Sequence, residues 1–271
     1  MNEQIYEEKK KVQLEYYNST AEKYDSWHTE TESAKIVDTW NFSNLQKFIG
    51  SKKAEKCLDI ACGTGRLSAK LLTIAENVYG VDLSEEVLKI AKNKYPNINF
   101  TQGESVALPY QDNFFDLVVI NGSLHHFFAM EQTFREVFRV LKPEGHFVIL
   151  GEPNANYHKW HNPFFYSWLA VRLLIRALNI FVPQATVHQE MIEPDAEVFF
   201  PKKMRQSLKN VGFKIKEFYT YDYFPRLEAK WFLKIYKVYL NWERKFLSPI
   251  LPDLGAAIQF LAVKQSKLEK K

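Results

Sequence analysis

Residues 57–67 read CLDIACGTGRL, and the order of residue types in them decides the fold. Leu58, Asp59 and Ile60 close a short apolar run that contains an acid. Ala61, Cys62, Gly63, Thr64 and Gly65 are small turn residues, and a helical pattern starts near Arg66. A strand, a small-residue turn and a helix form the ligand-binding corner of a doubly wound α/β sheet. Glycine suits such a turn because the backbone must bend sharply and admit a ligand with no Cβ in the way. Asp59 stands at the strand end, in front of the turn, and sets this corner apart from a dinucleotide site.

Outward from the corner, strand and helix patterns alternate. Strands are predicted over residues 56–60, 77–81, 98–101, 115–120 and 146–150. Between them, helices are predicted over 65–75, from Ser84 onward with Val87, Leu88, Ile90 and Ala91 as the apolar stripe, and over 134–141. That alternation predicts a parallel sheet covered by helices on both faces. The unbroken apolar run at 115–120 suits a strand buried on both sides. After residue 150 the alternation stops: residues 152–200 are aromatic and punctuated by Pro153, Pro163, Pro183, Pro194 and Pro201. It resumes with a helix over 202–210 stopped by Gly212, a strand over 213–219 and a last strand over 258–263. A second insertion, 222–255, has a helical stretch around 227–246. Residues 1–50 read as a helical lead-in that stops at Gly50.

The 271 residues, 46% hydrophobic and 25% charged, are those of a globular protein with a sizeable core. A net charge of +4 is mild, and lysines crowd residues 9–11 and 264–271, as solvated ends do. No basic stripe interleaved with aromatics marks a nucleic-acid surface. Cys57 and Cys62 lack metal-ligand spacing and no apolar leader precedes them, so reduced thiols in the cytoplasm and no metal are expected.

Charge separates the two ligand classes that use such a corner. A dinucleotide brings a pyrophosphate to the helix N-terminus, and an acid at the end of the first strand would repel it. S-adenosylmethionine carries an ammonium and a sulfonium, which an adjacent acid favours. The G-x-G-x-x-G/A pattern is also incomplete, since Gly63 and Gly65 are followed by Ser68. Asp82, 23 positions after Asp59, ends the second strand, where an acid accepts hydrogen bonds from an adenosine ribose. A helix-cap role before Ser84 is the plainer reading of Asp82. A nicotinamide-dependent reductase on a similar sheet, or a non-catalytic cofactor-binding protein, are the alternatives to a methyl-transfer enzyme.

LDIACGTGRL, VYGVDLSEEVLKIAK, QGESVALPYQDNFFDLVV and FREVFRVLKPEGHFVIL follow one another in this chain. In that order they resemble the class I S-adenosylmethionine-dependent methyltransferases, within the group that includes the ubiquinone and menaquinone C-methyltransferases. The likeness covers about residues 16–151 well and 200–220 loosely. It implies a Rossmann-like seven-stranded sheet, six strands parallel and the last antiparallel. It implies one domain: lead-in 1–50, cofactor-binding half 51–151, an insertion over the acceptor 152–200, and a C-terminal half 201–271 carrying 222–255. It also implies site roles. Asp59 would reach the methionine end of the cofactor, with Ala61, Gly63 and Gly65 forming the turn beneath it. Ala61 stands where glycine is commoner, a change that a negative φ would accommodate. Asp82 would take the ribose hydroxyls and Leu83 the adenine face. Glu104 and Ser105, in place of the usual Asp-Ala, would hold the adenine edge. Asn121 would present its backbone to the methionine portion, and Tyr24 would cover the cofactor.

Methyl transfer is an in-line displacement at carbon, so the protein chiefly positions the acceptor and excludes water. A base is needed only if the acceptor loses a proton. Ser123, His125 and His126 stand at the carboxyl end of the fourth strand, and the resemblance favours His126; packing at the strand end is the bland alternative. His28, Glu152 and His158 are weaker candidates. Residues 164–181 read as a helix with Arg172 and Arg176 on one face. Three roles fit it: a lid over an apolar acceptor, a dimer or core element, and a helix lying in a membrane interface. The expected partner is a small, apolar or lipid-like acceptor.

Overall fold

The computed structural model describes residues 3–23, 31–157, 159, 162–177, 199–224, 226 and 229–265. Tyr24, His28 and His158 lie outside these residues. Helix α1 spans Glu3–Thr20 and α2 spans Glu32–Ile49, the latter capped by the Thr31 hydroxyl and stopped at Gly50 as expected. The central unit runs β1 Ala54–Ile60, α3 Arg66–Leu71, β2 Ala75–Asp82, α4 Glu85–Lys94, β3 Asn99–Gln102, β4 Phe115–Asn121, α5 Met130–Val140 and β5 Leu141–Pro153. The first insertion carries α6 Pro163–Ala177. There follow α7 Pro201–Val211, β6 Phe213–Tyr221, α8 Lys230–Trp242 with a π-helical turn Glu243–Leu247, and β7 Ala257–Lys264.

The seven strands lie in the order β3-β2-β1-β4-β5-β7-β6. β1 to β5 pair in parallel, and β7 runs antiparallel between β5 and β6. Six strands therefore share one direction and the last opposes them. Leu117 to Ile120 of β4 and Phe147 to Ile149 of β5 are fully buried, because helices cover both faces of the sheet. One face packs around Phe134, Val137 and Phe260, and the other around Leu45, Leu71 and Leu88.

The helix after the corner is shorter than its sequence pattern. It ends at Leu71, and tight turns (Thr73 N–H to Lys70 O, Ile74 N–H to Leu71 O) hand the chain to β2. Ala75 already pairs with Ala54, so sheet register takes residues that helical spacing had claimed. β5 is longer than expected: its start at Leu141 pairs with Phe115, and the register then shifts past Glu144, which adopts φ 63°. α7 ends as predicted, with Gly212 in the left-handed region at φ 110°.

Gly65 at the corner meets a packing demand. Gly65 adopts φ 82°, and a Cβ there would come within 2.8 Å of the Phe100 ring and 2.9 Å of Tyr95. Left-handed strain and overpacking then add. Gly65→Ala should lower stability by about 2–4 kcal/mol in urea unfolding; a loss below about 0.5 kcal/mol would show that the Phe100–Tyr95 wall yields.

Candidate active site

The carboxyl end of the sheet holds two cavities that share one wall residue, Ala61. The first encloses about 830 Å³ and is bordered by Gly63, Asp82, Leu83, Glu104, Ser105 and His126. The second encloses about 1190 Å³ and is bordered by Asp38, Asn41, Asp59, Asn121, Tyr221 and Arg226. Nine of the eleven residues singled out in the sequence therefore border one cavity or both. Gly65 lies behind the turn against Phe100, and Tyr24 lies outside the described residues.

The turn between β1 and α3 is tied to the end of β2. Cys62 N–H donates to Val81 O at 3.1 Å, and Gly63 N–H donates to Asp82 Oδ2 at 2.9 Å. Asp82 Oδ1 accepts from Ser84 N–H at 3.0 Å. Asp82 is thus a local loop acid toward Ser84, which is itself the helix N-cap, while its other oxygen ties the turn after β1. It still borders the first cavity, and a carboxylate has about four acceptor positions. Ala61 adopts φ 55°, which corrects the expectation of a negative φ. It is a left-handed residue in a position that glycine fits, at a cost of roughly 1–2 kcal/mol.

Asp59 is 2% exposed, and its Oδ2 accepts from the Ser68 hydroxyl at 2.6 Å. Ser68, which breaks the glycine pattern, thus supplies a donor to the acid. Burial pushes the Asp59 carboxyl up to about 7; the Ser68 hydrogen bond opposes the shift and the Asp82 charge adds to it. Among the described residues no cationic side chain pairs with Asp59. A buried acid without a cation is costly, and here it borders a cavity large enough for a ligand that brings one. Burial also raises the Asp82 carboxyl, with the N–H groups of Ser84, Gly63 and Leu83 opposing it.

Other site features were not legible in the sequence. Helix α1 closes the first cavity with Tyr6, Lys10, Gln13 and Tyr17. Both oxygens of Glu104 are engaged from this helix, by Tyr6 OH at 3.1 Å and Lys10 Nζ at 3.0 Å. The Gln13 side chain donates to His126 O at 3.0 Å, and Ser84 Oγ donates to Asn18 at 2.7 Å. Only the i, i+3 and i+4 recurrence of Tyr6, Lys10, Gln13 and Tyr17 on one face could have hinted at this.

Glu152, at the carboxyl end of β5, is fully buried. Its Oε1 accepts from the Ser123 and Leu124 N–H groups, both at 3.0 Å, and its Oε2 from His125 N–H at 3.1 Å. The same Oε2 lies 3.0 Å from His125 Nδ1. The turn after β4 is therefore wound around one carboxylate. If His125 gives its Nδ1–H to Glu152, the Nε2 of the neutral ring is the acceptor. His126 borders the first cavity, its ring centroid 4.0 Å from that of His125. Among the described residues no cluster of side chains is arranged to hold a metal ion.

A doubly wound sheet whose first two strands end in acids, the first buried and the second half-buried, around a small-residue turn defines a Rossmann-like nucleoside-binding protein. The comparisons with known proteins sharpen that class. Residues 58–149 match the family model described as a methyltransferase domain. Over 179 residues the chain is 34% identical to a demethylmenaquinone methyltransferase of Chlorobaculum tepidum, covering 64% of this chain and 72% of that protein. It is 31% identical over 153 residues to a ubiquinone/menaquinone biosynthesis C-methyltransferase of Yersinia pestis, covering 53% of this chain and 60% of that protein. Among solved structures, a possible histamine N-methyltransferase of Thermotoga maritima superposes with a TM-score of 0.59 at 16% identity, over 93% of this chain and all of that one. The cyclase SpnF superposes at 0.52 with 17% identity, over 82% of this chain and 80% of that one. These structural likenesses show the fold. The sequence relatives show the family: the chain belongs to the class I S-adenosylmethionine-dependent methyltransferases. S-adenosyl-L-methionine is its cofactor and methyl transfer its activity.

Asp59 has a folded carboxyl raised to about 7, so its contribution to stability is greatest below the ordinary carboxylate range and is lost as pH rises through about 7. In the cofactor-free protein, Asp59→Asn should therefore raise stability by about 1–3 kcal/mol above pH ~8. The gain should shrink as pH falls from about 7 towards 4. Thermal unfolding of both proteins across that range reads it; a variant that is less stable at high pH would contradict the buried-anion assignment.

Proposed function

We propose that the chain methylates an apolar, ring-bearing acceptor of quinol type, with the two cavities sharing the work. The observation that carries this reading is the pair of acids that end the first two strands, Asp59 buried and Asp82 half-buried, on either side of Ala61. Bound S-adenosylmethionine supplies an electrophilic methyl group on a sulfonium with a neutral thioether as leaving group. Asp59 holds the ammonium end in the second cavity, beside Asn121. Asp82 takes the ribose hydroxyls, Leu83 covers the adenine face, and Ser105 borders its edge. Glu104 acts jointly with Lys10 and Tyr6, since both its oxygens are already engaged by α1. Gly63 keeps the turn close to the ligand, and Gly65 keeps the turn in place. Tyr24 is assigned to cover the cofactor on the strength of the sequence motif alone.

The acceptor class rests on two supports. Of the relatives named above, one is a demethylmenaquinone methyltransferase and one a C-methyltransferase of ubiquinone/menaquinone biosynthesis. The second cavity meets an aromatic wall, with Tyr221 on its border and Trp40 and Tyr219 behind. Ring methylation of a quinol is helped by removal of a phenolic proton. We assign that step to the His125–His126 pair: His126 borders the first cavity, which shares Ala61 with the second, and His125 lies against the Glu152 carboxylate. The buried free thiols of Cys57 and Cys62 support a cytoplasmic site of action. Among the described residues no helix is long and apolar enough to cross a membrane. The exposed Tyr166, Leu169, Leu173 and Leu174 of α6 favour a surface role for the described part of this segment, 164–177, as lid or membrane contact, over a core one; residues 178–181 lie outside the described residues.

Asp82→Ala should weaken S-adenosylhomocysteine binding by about 1.5–3 kcal/mol, the worth of charge-assisted hydrogen bonds; unchanged affinity in calorimetry would place the ribose elsewhere. Labelled methyl transfer to an isoprenoid naphthoquinol tests the acceptor. His126→Ala and His125→Ala should each lower turnover and spare S-adenosylhomocysteine affinity. Intact cofactor binding with no labelled quinol would sink the quinol reading.

A further inference from the structure

Helix α8 is apolar on two faces, and the fold uses only one of them. Inward, Tyr236 and Leu240 are fully buried and Phe232 and Tyr239 pack beside them, against Trp40 and Tyr221. Outward, Trp231, Ile235, Val238 and Trp242 stand in one row, spaced four, three and four residues apart. Trp231 is 64% exposed and Val238 68%. The row continues through the π-helical turn with Phe246 and past it with Ile250, which is 76% exposed. Single exposed apolar side chains need no explanation, but a helix-long row does. A surface helix of a globular protein normally turns polar residues outward.

The charges beside the row choose its partner. Lys230, Lys234, Lys237 and Lys245 are exposed, and residues 230–242 contain no acid. Of the flanking acids in sequence, Glu243 is fully buried and accepts from the N–H groups of Asp222 and Tyr223, and Glu228 lies outside the described residues. A two-fold contact with a second copy would bring these lysines against one another. An anionic lipid surface would neutralise them while the row enters the headgroup layer. Tryptophans near both ends of the row suit that interface, where an apolar ring body and a polar N–H are both accommodated.

We propose that the outer face of α8 docks on an anionic lipid bilayer. The face lies next to the site, not remote from it. α8 packs on α2, whose Asp38 and Asn41 border the second cavity. Phe224 meets Tyr239 of α8 on one side and Phe164 of α6 on the other, so the first insertion begins beside the docked helix. A lipid-tailed acceptor would thus be met where it resides. The inference stands on the surface alone, and vesicle retention reads it without any methyl transfer.

The test is cosedimentation of the full chain with vesicles of phosphatidylcholine, with and without about one third phosphatidylglycerol. Retention should be roughly tenfold stronger on the anionic vesicles and should fall in about 0.5 M salt. The double variant W231S/W242S should lose roughly tenfold in retention while keeping its melting temperature and its S-adenosylhomocysteine affinity. The triple variant K230Q/K234Q/K237Q should lose the preference for anionic vesicles. No retention of the native chain, or equal retention of a folded W231S/W242S, would overturn the proposal. So would a dimer in sedimentation velocity that W231S/W242S dissolves, because the face would then belong to a second copy.

Discussion

A carboxylate buried at the end of a central strand, with no cation beside it among the described residues, is the constraint on which the site depends. Asp59 is fixed by β1, which pairs with β2 on one side and β4 on the other, so it cannot withdraw to water. Its hydrogen bond from Ser68 and the tie between Gly63 N–H and Asp82 hold the small-residue turn against both strands. Two acids then converge on one turn from adjacent strands. That arrangement repels a pyrophosphate and attracts a cation, and it converts a general nucleoside corner into one suited to an ammonium and a sulfonium. On the proposed assignment, the cost of the buried acid falls on the free protein and a ligand ammonium relieves it.

Much of this was legible in the sequence because the features are local. A strand ending in an acid, a run of small residues and a capping Ser84 are read from neighbours in the chain, and the seven strands follow from alternation. Boundaries moved where sheet register overrode local preference, as at Leu71, where pairing of Ala75 with Ala54 ended the helix early. What stayed hidden were contacts between distant segments. The closing of the first cavity by Tyr6, Lys10 and Tyr17, and the capture of the turn after β4 by Glu152, involve partners tens of residues apart. Ala61 shows the opposite failure: its identity hid a left-handed conformation that a glycine would have announced.

The two insertions share a physical logic. The 222–255 segment returns to the sheet through a buried polar group in which Glu243 accepts from the N–H groups of Asp222 and Tyr223 and from the Tyr239 hydroxyl. Burial raises the Glu243 carboxyl to about 7. This anchorage fixes the inward face of α8 and leaves its outward face apolar. α6 likewise presents Leu173 and Leu174 outward. The sheet up to β5 thus packs its apolar residues inward, whereas both insertions turn apolar side chains to the surface.

Proton exchange on ligand binding tests the central claim most directly. Calorimetry of S-adenosylhomocysteine binding in buffers of different ionisation enthalpy counts the protons released. An Asp59 that titrates near 7 when free and is held ionised by the ligand ammonium predicts release of close to one proton at about pH 6. That release should decline to none by about pH 9 and be abolished in Asp59→Asn. Binding with no proton exchange across that range would contradict the account, because the acid facing the ligand would then be ionised, or neutral, in both states.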